Sequence, residues 1–489
     1  MRGLQDVRPN DLLSQDLEDL GNLALGFSPE EVANMTSDAF RGAVQVFGQI
    51  IGFNREQLAA LASKVKEAYK ANGTAADAPS LLTDEDVLNI ANILSGFTRE
   101  DFLKMSKDRV QDNIDFLGLL ALNREQAEAL MTRATAARRK RRATDLSSKT
   151  GDELISMGAT LLALTPSDIA TVNATAFDDA ADTIGRVQGF SQEQLQAWAD
   201  KAKEAWNSNM SLITSEQLLR LGAIAIGFSH ADLGNMELLS NDVIESLGSQ
   251  PVASNATDNG TGVVGYTMEQ LSSALTRIKT LKNKNISSFT GEEMAALKIF
   301  ALAMTPAEMT SMTTEAFGVA VSTLGGLIGW SPDQMVKLKE KSIGLYGPLT
   351  NWTAAELRES GSAIGGFSPQ ELQSLSTEYL TMVSPSAIAS IPASLFAEFT
   401  VDQLQGFDSS QSAAVTSTQK NSLSAEKLNA LDNPDATPTT TTTTTPTTLT
   451  VTTGTGSMTT INSKGHMQTG SFFILVLPVI YSMIYVADF

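Results

Sequence analysis

The feature that most constrains the fold is a helix-starting signature that recurs along most of the chain. A Ser, Thr or Asn stands three residues before Glu, Asp or Gln, so each side chain can bond the other's backbone N–H. The pairs are Ser28–Glu31, Asn54–Gln57, Thr98–Asp101, Asn123–Gln126, Thr165–Asp168, Ser191–Gln194, Ser229–Asp232, Thr267–Gln270, Thr305–Glu308, Ser331–Gln334 and Ser368–Glu371. A second series begins at Thr83, Thr150, Thr214, Thr290 and Thr353. Two interleaved series predict a regular array of helices.

The stretch 150–206 shows one unit of this array. Apolar residues recur at helical spacing after each capping residue, at Leu154, Leu161 and Leu162, then Phe177, Ala180, Ala181 and Ile184, then Leu195, Trp198 and Ala202. No single helix can bury such a stripe alone, so each unit needs its neighbours. We therefore predict an all-α fold, a superhelical α-solenoid of armadillo- or HEAT-like repeats, over about Leu17 to Gly406.

Composition excludes several function classes. The net charge of −20 disfavours a nucleic-acid partner, because an acidic surface repels phosphates. The absence of cysteine excludes disulfides, thiolate metal sites and cysteine nucleophiles, and only two histidines are present. No nucleophile, metal or phosphate-binding constellation is visible, and the tryptophans are interpreted as packing residues. We predict no enzymatic activity, no cofactor and no metal site.

One dense basic run, Arg138–Arg142, interrupts this acidic chain. Three interpretations start with about equal weight: a nuclear localisation signal, a solvated charged linker, and a proprotein-convertase site. For the third, Arg139, Lys140, Arg141 and Arg142 precede the cut and Ala143 follows it. The carboxyl end of the chain favours the convertase interpretation, because it places the chain in the secretory route.

That carboxyl end changes composition abruptly after Asn433. A Thr/Pro-rich segment is predicted to be a disordered, O-glycosylated stalk. It is followed by a short polar spacer and the apolar tail Phe472–Ala487, which is short of the roughly 20 residues that a spanning helix needs. Small residues, spacer and apolar tail form the pattern of a GPI-anchor signal, with Asn462 and Ser463 as attachment candidates. A single-pass anchor is the alternative.

Asn-x-Ser/Thr sequons suit the same extracellular setting. Two of them lie in the loop predicted between Ser249 and Gly262, which has no periodicity and many chain breakers. Glycosylation is predicted at Asn34, Asn72, Asn173, Asn209, Asn255, Asn259, Asn285 and Asn351. No signal peptide is seen in the first ten residues, which conflicts with these extracellular signs.

Helical repeats with Gly-Phe-Ser-Pro turns, a tetrabasic site and a terminal GPI signal together resemble the mesothelin family, which also includes stereocilin and otoancorin. The resemblance implies superhelical repeats that act in adhesion. It also implies that the part ending at Arg142 is shed, and that a GPI-linked product begins at Ala143. Family members bind a large mucin or tether epithelia to acellular gels. Because the chain lacks cysteine, no disulfide and no mucin-contact residue is carried over.

These observations predict four segments. Residues 1–142 form amino-terminal repeats released by cleavage, and 143–410 form a second solenoid. Residues 411–463 form a linker and stalk, and 464–489 form the removed anchor signal. The predicted function is cell–cell or cell–matrix adhesion at the outer leaflet of the plasma membrane, through an extracellular protein or mucin-type glycoprotein. The alternatives are a structural protein that attaches an extracellular gel to epithelium, and an intracellular repeat scaffold with a membrane tail.

Overall fold

The predicted all-α repeat fold is confirmed in a computed structural model, which describes residues 9–70, 74–134, 146–253 and 263–432. Over these ranges the chain forms short helices joined by tight turns, and the one β contact is an isolated bridge between Val252 and Tyr266. No helix within them is both long and apolar enough to cross a bilayer. The predicted stalk and apolar tail lie outside the described residues.

Five similar units can be followed through the described part of residues 14–346, each with four helical positions. In chain order the helices are α1 Ser14–Leu20, α2 Pro29–Asn34, α3 Ser37–Gln49 and α4 Arg55–Tyr69; α5 Asp84–Ile90, α6 Arg99–Lys104, α7 Lys107–Asp112 with α8 Ile114–Gly118, and α9 Arg124–Ala134; α10 Gly151–Met157, α11 Pro166–Ala170, α12 Ala174–Arg186 and α13 Gln192–Ala205; α14 Ser215–Leu219, α15 His230–Leu233, α16 Asn241–Gly248 and α17 Met268–Lys282; α18 Gly291–Ala296, α19 Pro306–Ser311, α20 Thr314–Gly325 and α21 Pro332–Tyr346. In the second unit the third position is split between α7 and α8.

Each predicted capping residue begins a helix. In the third unit, the Thr150 hydroxyl accepts from the Glu153 N–H, and the Glu153 carboxylate accepts from the Thr150 N–H at 2.9 Å. The same reciprocal pair is found at every capping position predicted in both series. Because such a cap needs only residues three apart, it can be read from the sequence alone.

The first helix of each unit does not continue as the apolar stripe predicts. In the third unit it ends at Gly158, where φ is +46°, and a 3₁₀ turn follows over Gly158–Ala163. Equivalent 3₁₀ turns are Gly21–Gly26, Ala91–Gly96, Gly222–Gly227 and Lys298–Ala303. Further 3₁₀ segments are Pro9–Asp11, Ala75–Ser80, Met210–Leu212, Ile286–Ser288 and Leu349–Asn351.

Close backbone approach explains the glycine at this break. A Cβ on Gly222 would lie 2.2 Å from the Gly185 carbonyl oxygen, in the third helix of the unit before. A Cβ on Gly185 would lie 2.5 Å from the Leu221 carbonyl oxygen. Successive units therefore contact each other through backbone atoms, closely enough to favour glycine, although Ala91 and Lys298 adopt the same positive φ at the equivalent break in the second and fifth units.

A different region follows the fifth unit. It comprises α22 Ala354–Ser360 with its 3₁₀ turn Gly361–Gly366, then α23 Pro369–Gln373, α24 Thr377–Leu380, α25 Pro385–Ser390, α26 Ala393–Phe396, α27 Val401–Gln405, α28 Ser409–Ala414, α29 Ser417–Ser422 and α30 Ala425–Asp432. We call residues 354–432 the short-helix region. Its last three helices occupy residues that the sequence assigned to the linker after 410, so that boundary is wrong: the packed helices extend to Asp432.

The short-helix region has a strict eight-residue period. The residues that precede its helices are Ser368, Ser376, Ser384, Pro392, Thr400, Asp408, Thr416 and Ser424. Apolar residues keep the same interval in its core, at Leu372, Leu380, Ile388, Phe396 and Leu404, and at Leu375, Val383, Ile391, Phe399, Phe407 and Val415. From α27 onward, each helix packs against the helix three places before it, as α27 does on α24 and α28 on α25.

Candidate functional site

The most promising surface of the described residues lies between the second and fourth helices of each unit. These helices pack side by side as α2 with α4, α6 with α9, α11 with α13, α15 with α17, and α19 with α21. In the third and fourth units, a shallow groove remains between these two helices. We call these two successive grooves the grooved face.

A buried glutamine fixes the start of each fourth helix. In α13, the Gln194 amide nitrogen donates to the carbonyl oxygens of Leu162 and Leu164, at 2.9 and 2.6 Å. The Gln194 side-chain oxygen accepts from the Ser191 N–H at 2.9 Å, so all three bonds hold one side chain. The other units repeat this arrangement with Gln57, Gln126, Gln270 and Gln334. We call it the glutamine clamp.

A cation seven residues after the glutamine fixes the other end of the groove. The Lys201 ammonium donates to the Ala170 carbonyl oxygen at 3.0 Å, at the carboxyl end of α11. A positive charge is favourable there, because the unpaired carbonyl oxygens of a helix end carry partial negative charge. Lys64, Arg133, Arg277 and Lys341 occupy the equivalent positions and donate to Ala33, Met105, Met236 and Met312.

Two successive grooves have measurable volume. The groove between α11 and α13 encloses about 550 Å³, and its wall carries the carboxylates of Glu193, Asp200 and Glu204. The groove between α15 and α17 encloses about 400 Å³ and is lined by hydroxyl groups, among them those of Ser272 and Thr276. Both are open, and charged and hydroxyl groups share their walls with hydrocarbon, unlike the enclosed cavities that bind small molecules. They suit an extended chain that offers both polar and apolar groups.

Among the described residues, ion pairs join four of the five units to the helices that follow them. The fourth helix of one unit supplies a lysine to a capping carboxylate on the second helix of the following unit. The pairs are Lys66–Asp101 at 2.9 Å, Lys203–Asp232 at 3.3 Å, Lys279–Glu308 at 2.6 Å and Lys339–Glu371 at 3.0 Å. Burial alone would raise the pKa of Glu308, but hydrogen bonds from Lys279 and the Thr305 N–H outweigh it and hold that pKa below its ordinary value.

His230 lies in the second groove, where its Nδ1 is 3.4 Å from the Glu269 carboxylate. This pair is half exposed and has no third acid–base partner among the groups that line the groove in the structure. In the described ranges, no three His, Asp or Glu side chains are grouped so that they could hold a metal ion. The indole rings of Trp198, Trp330 and Trp352 are buried in the core, as the sequence predicted.

The predicted glycosylation sites that fall in described residues are all exposed: Asn34, Asn173, Asn209, Asn285 and Asn351. Asn173 and Asn209 are themselves capping residues, and each uses its side-chain oxygen to accept a backbone N–H. The amide nitrogen, to which a glycan would be joined, is not used in that bond. Asn72, Asn255 and Asn259 lie outside the described residues.

The other predicted site residues also lie outside the described ranges. They are the cleavage positions Arg139, Lys140, Arg141, Arg142 and Ala143 and the anchor candidates Asn462 and Ser463.

Sequence reasoning missed the grooved face. Its signal was present as a glutamine at the third helical position followed seven residues later by Lys or Arg, as in Gln57–Lys64 and Gln194–Lys201. Seven residues make two helical turns, so both side chains lie on one side of the fourth helix. Which carbonyl groups they contact depends on a partner about 30 residues away, and that partner is not encoded locally.

Comparison with known proteins identifies relatives, although no family model matches the chain. Otoancorin of Mus musculus is 27% identical over 266 residues, which are 54% of this chain and 22% of otoancorin. Stereocilin of Homo sapiens is 27% identical over 267 residues, 54% of this chain and 14% of stereocilin. The chain thus matches less than a quarter of the length of these relatives. The matches confirm the family resemblance: otoancorin and stereocilin, to which this chain is similar, belong to the mesothelin-like family.

Proposed function

We propose that this protein attaches an extracellular gel or matrix to a cell surface, with the grooved face as its contact surface. The observation that carries the proposal is the recurrence of one groove in the third and fourth units. Two successive shallow grooves at the same place in the repeat match an extended partner with repeated chemistry, such as a mucin-type glycoprotein or a matrix polymer. A globular partner would not need the repetition.

The relatives favour this activity over cell–cell adhesion. The family resemblance implies tethering of epithelia to acellular gels by otoancorin, and otoancorin is among the relatives found. We therefore place matrix attachment first and adhesion between cells second. The contact requires no catalytic group, so the protein acts by binding.

Attachment to a membrane completes the proposal. The apolar tail would direct replacement of the carboxyl end by a lipid anchor at Asn462 or Ser463, and the Thr/Pro segment would hold the helical array above the outer leaflet. Phosphatidylinositol-specific phospholipase C should release the protein from intact cells. Recovery of a peptide from Phe472–Ala487 in the mature protein would favour the single-pass alternative.

A pair of matched double variants tests the grooved face. Gln196 and Ser272 are exposed residues of α13 and α17 that line the two grooves. Gln196→Arg with Ser272→Arg should fill both grooves and weaken attachment of protein-displaying cells to a secreted epithelial gel and to a purified mucin-type glycoprotein.

The control makes the same changes elsewhere. Gln45 on α3 and Ser322 on α20 are exposed on third helices. Gln45→Arg with Ser322→Arg adds the same charge and bulk, and should leave attachment unchanged. Equal attachment by both double variants would contradict the assignment of the grooved face. Cell–cell adhesion that falls while gel attachment persists would support the second function.

A further inference from the structure

The basic segment Arg138–Arg142 lies between the second and third units, and these two units pack against each other. α9 ends at Ala134, and the chain is described again from Leu146. Any cut after Arg142 therefore falls between two parts whose packing the structure records. Because the chain has no cysteine, no disulfide can join these parts after a cut.

The two sides nevertheless share a core. α9 and α8 pack against the 3₁₀ turn Gly158–Ala163, and α8 also contacts α10. Ala127 on α9 is fully buried and belongs to the same apolar cluster as Leu154 and Leu161. In the reverse direction, Ala159 packs against the cluster that contains Leu117 and Leu130.

The backbones themselves are in contact across this junction. A Cβ on Gly158 would lie 2.2 Å from the Gly118 carbonyl oxygen, and a Cβ on Gly118 would lie 2.6 Å from the Met157 carbonyl oxygen. Gly185 and Gly222 meet in the same way inside the uncut part of the chain. The junction between the second and third units is therefore built like a contact within the carboxyl-terminal part.

The chain is also anchored immediately after the basic segment. Leu146 is buried, and its N–H donates to the Thr171 hydroxyl at 2.9 Å. Removal of the covalent link at 142–143 would leave this bond and the shared core in place. In a stacked array the stability of each junction comes from contacts between neighbouring units, and these do not depend on chain continuity.

We propose that cleavage after Arg142 leaves the amino-terminal part bound to the carboxyl-terminal part as a non-covalent pair. The partner of the surface formed by Gly158–Ala163 and α10 is therefore the chain's own amino-terminal fragment. This inference rests on the proposed processing for its biological setting, and it opposes the release that the family resemblance implies.

Two full-length proteins test the retention separately from the processing. The first is the natural chain treated with a proprotein convertase, and amino-terminal sequencing should find Ala143. The second carries the recognition site of an unrelated sequence-specific protease in place of Arg138–Arg142. It can be cut whether or not convertases recognise the natural segment, so failure of the processing proposal leaves the retention proposal testable.

Cut protein is then applied to a size-exclusion column in buffer and in concentrated urea. We expect both fragments in one peak in buffer and in two peaks in urea. On cells, the amino-terminal fragment should remain with the cells and appear in the medium only after phospholipase treatment. Separate elution in buffer, with both fragments still helical by circular dichroism, would overturn the proposal.

A variant links the result to the described contact. Gly118→Leu places a side chain against the backbone of Met157 and should shift the cut protein toward two peaks. Gly344→Leu is the control, because a Cβ at Gly344 meets no atom within 4 Å. If Gly118→Leu fails to fold when uncut, co-elution of the unmodified fragments still decides the question. Co-elution of cut Gly118→Leu as a single peak would contradict this contact as the source of retention.

Discussion

The five units of residues 14–346 and the short-helix region use the same bonds to stack helices of different length. In the units, Gln194 and Gln334 reach carbonyl groups 32 and 30 residues earlier. In the short-helix region, Gln403 and Gln411 each reach carbonyl groups 31 and 28 residues earlier. The stacking interval of about 30 residues is therefore kept, while the way the intervening chain is divided into helices changes.

Local breakers cause the difference. After the cap Thr313, α20 runs uninterrupted for 12 residues. After the equivalent cap Ser376, α24 ends at Leu380, and Ser384–Pro385 begins a new helix. Proline cannot continue a helix from the preceding turn, and it restricts the residue before it. The comparison shows that the glutamine clamp stacks helices of either length, and in the fourth unit Gln270 makes the same bonds across 44 and 42 residues, whereas prolines and caps fix helix length.

The largest expected effect tests whether backbone contact distinguishes the two regions. Gly185→Ala should destabilise its junction by about 3 kcal/mol, because the new methyl group meets carbonyl oxygens that cannot move independently. Gly406→Ala should cost less than about 1 kcal/mol, because its Cβ would lie 3.0 Å from the Thr377 side chain and its φ is negative. Hydrogen exchange of α12, α14 and α27 measures both effects locally, and equal losses would refute the distinction.

The next effect tests whether the clamp is common to both regions. Gln194→Leu and Gln411→Leu should each cost about 2 kcal/mol, because each leaves two buried carbonyl groups and one capping N–H without their partner. Gln196→Leu, on the exposed side of α13, is the control and should be nearly neutral. Thermal unfolding followed by circular dichroism gives the comparison. If only one of the two variants lowered the free energy of unfolding, the glutamine clamp would stabilise only the region that carries that variant.

A smaller effect concerns the caps. Thr313→Ala and Ser384→Ala each remove the oxygen that accepts an N–H bond, from Ala316 at 3.1 Å and from Ala387 at 3.2 Å. Each should cost about 1 kcal/mol. Faster hydrogen exchange should extend through all of α25 but only the first turn of α20, because α25 has six residues and almost no interior. If faster exchange extended equally far along both helices, helix length would not determine how much of a helix loses protection.

The smallest effect is the response to acid. Burial tends to raise the pKa of Glu308 and Glu371, but capping N–H groups and Lys279 or Lys339 hold both pKa values below the ordinary 4.5. A lowered folded-state pKa gives stability that is complete above the unfolded-state pKa and is lost as pH falls through the folded-state value. Acid should therefore loosen the α17–α19 and α21–α23 contacts.

Contacts based on neutral clamps should respond less. Gln403, Gln411 and Gln419 carry no charge at the corresponding capping position. Hydrogen exchange at pH 7 and pH 3 should show a modest loss of protection in α19 and little change in α27 and α29, whose capping residues Thr400 and Thr416 are also neutral. Glu308→Gln should reduce the pH dependence of α19. Equal acid sensitivity in α19 and α29 would indicate that other carboxylates dominate.

The sequence by itself determined the helix starts of the five units, the all-α class and the resemblance to the mesothelin-like family. Thr150 and Glu153 form their cap because hydroxyl and carboxylate lie three residues apart, and no distant partner is needed. The eight-residue period from Ser368 to Ser424 was equally legible, but its short helices lack the apolar stripe of a longer amphipathic helix, so residues 411–432 were assigned to a linker.

Tertiary structure alone decided where the units meet. The sequence predicts that Gln194 caps a helix together with Ser191. Only the folded structure shows that its side-chain amide also donates to the carbonyl oxygens of Leu162 and Leu164. From the sequence, the glycines at 158, 185 and 222 could be helix residues or helix breakers. The structure shows that another backbone segment packs directly against each of them. The grooved face likewise arises from two helices whose spacing is fixed by these contacts. A local hydrogen bond joins residues a few positions apart, so the sequence predicts it directly. Packing depends on which residues from distant parts of the chain come into contact, and only the folded structure shows this.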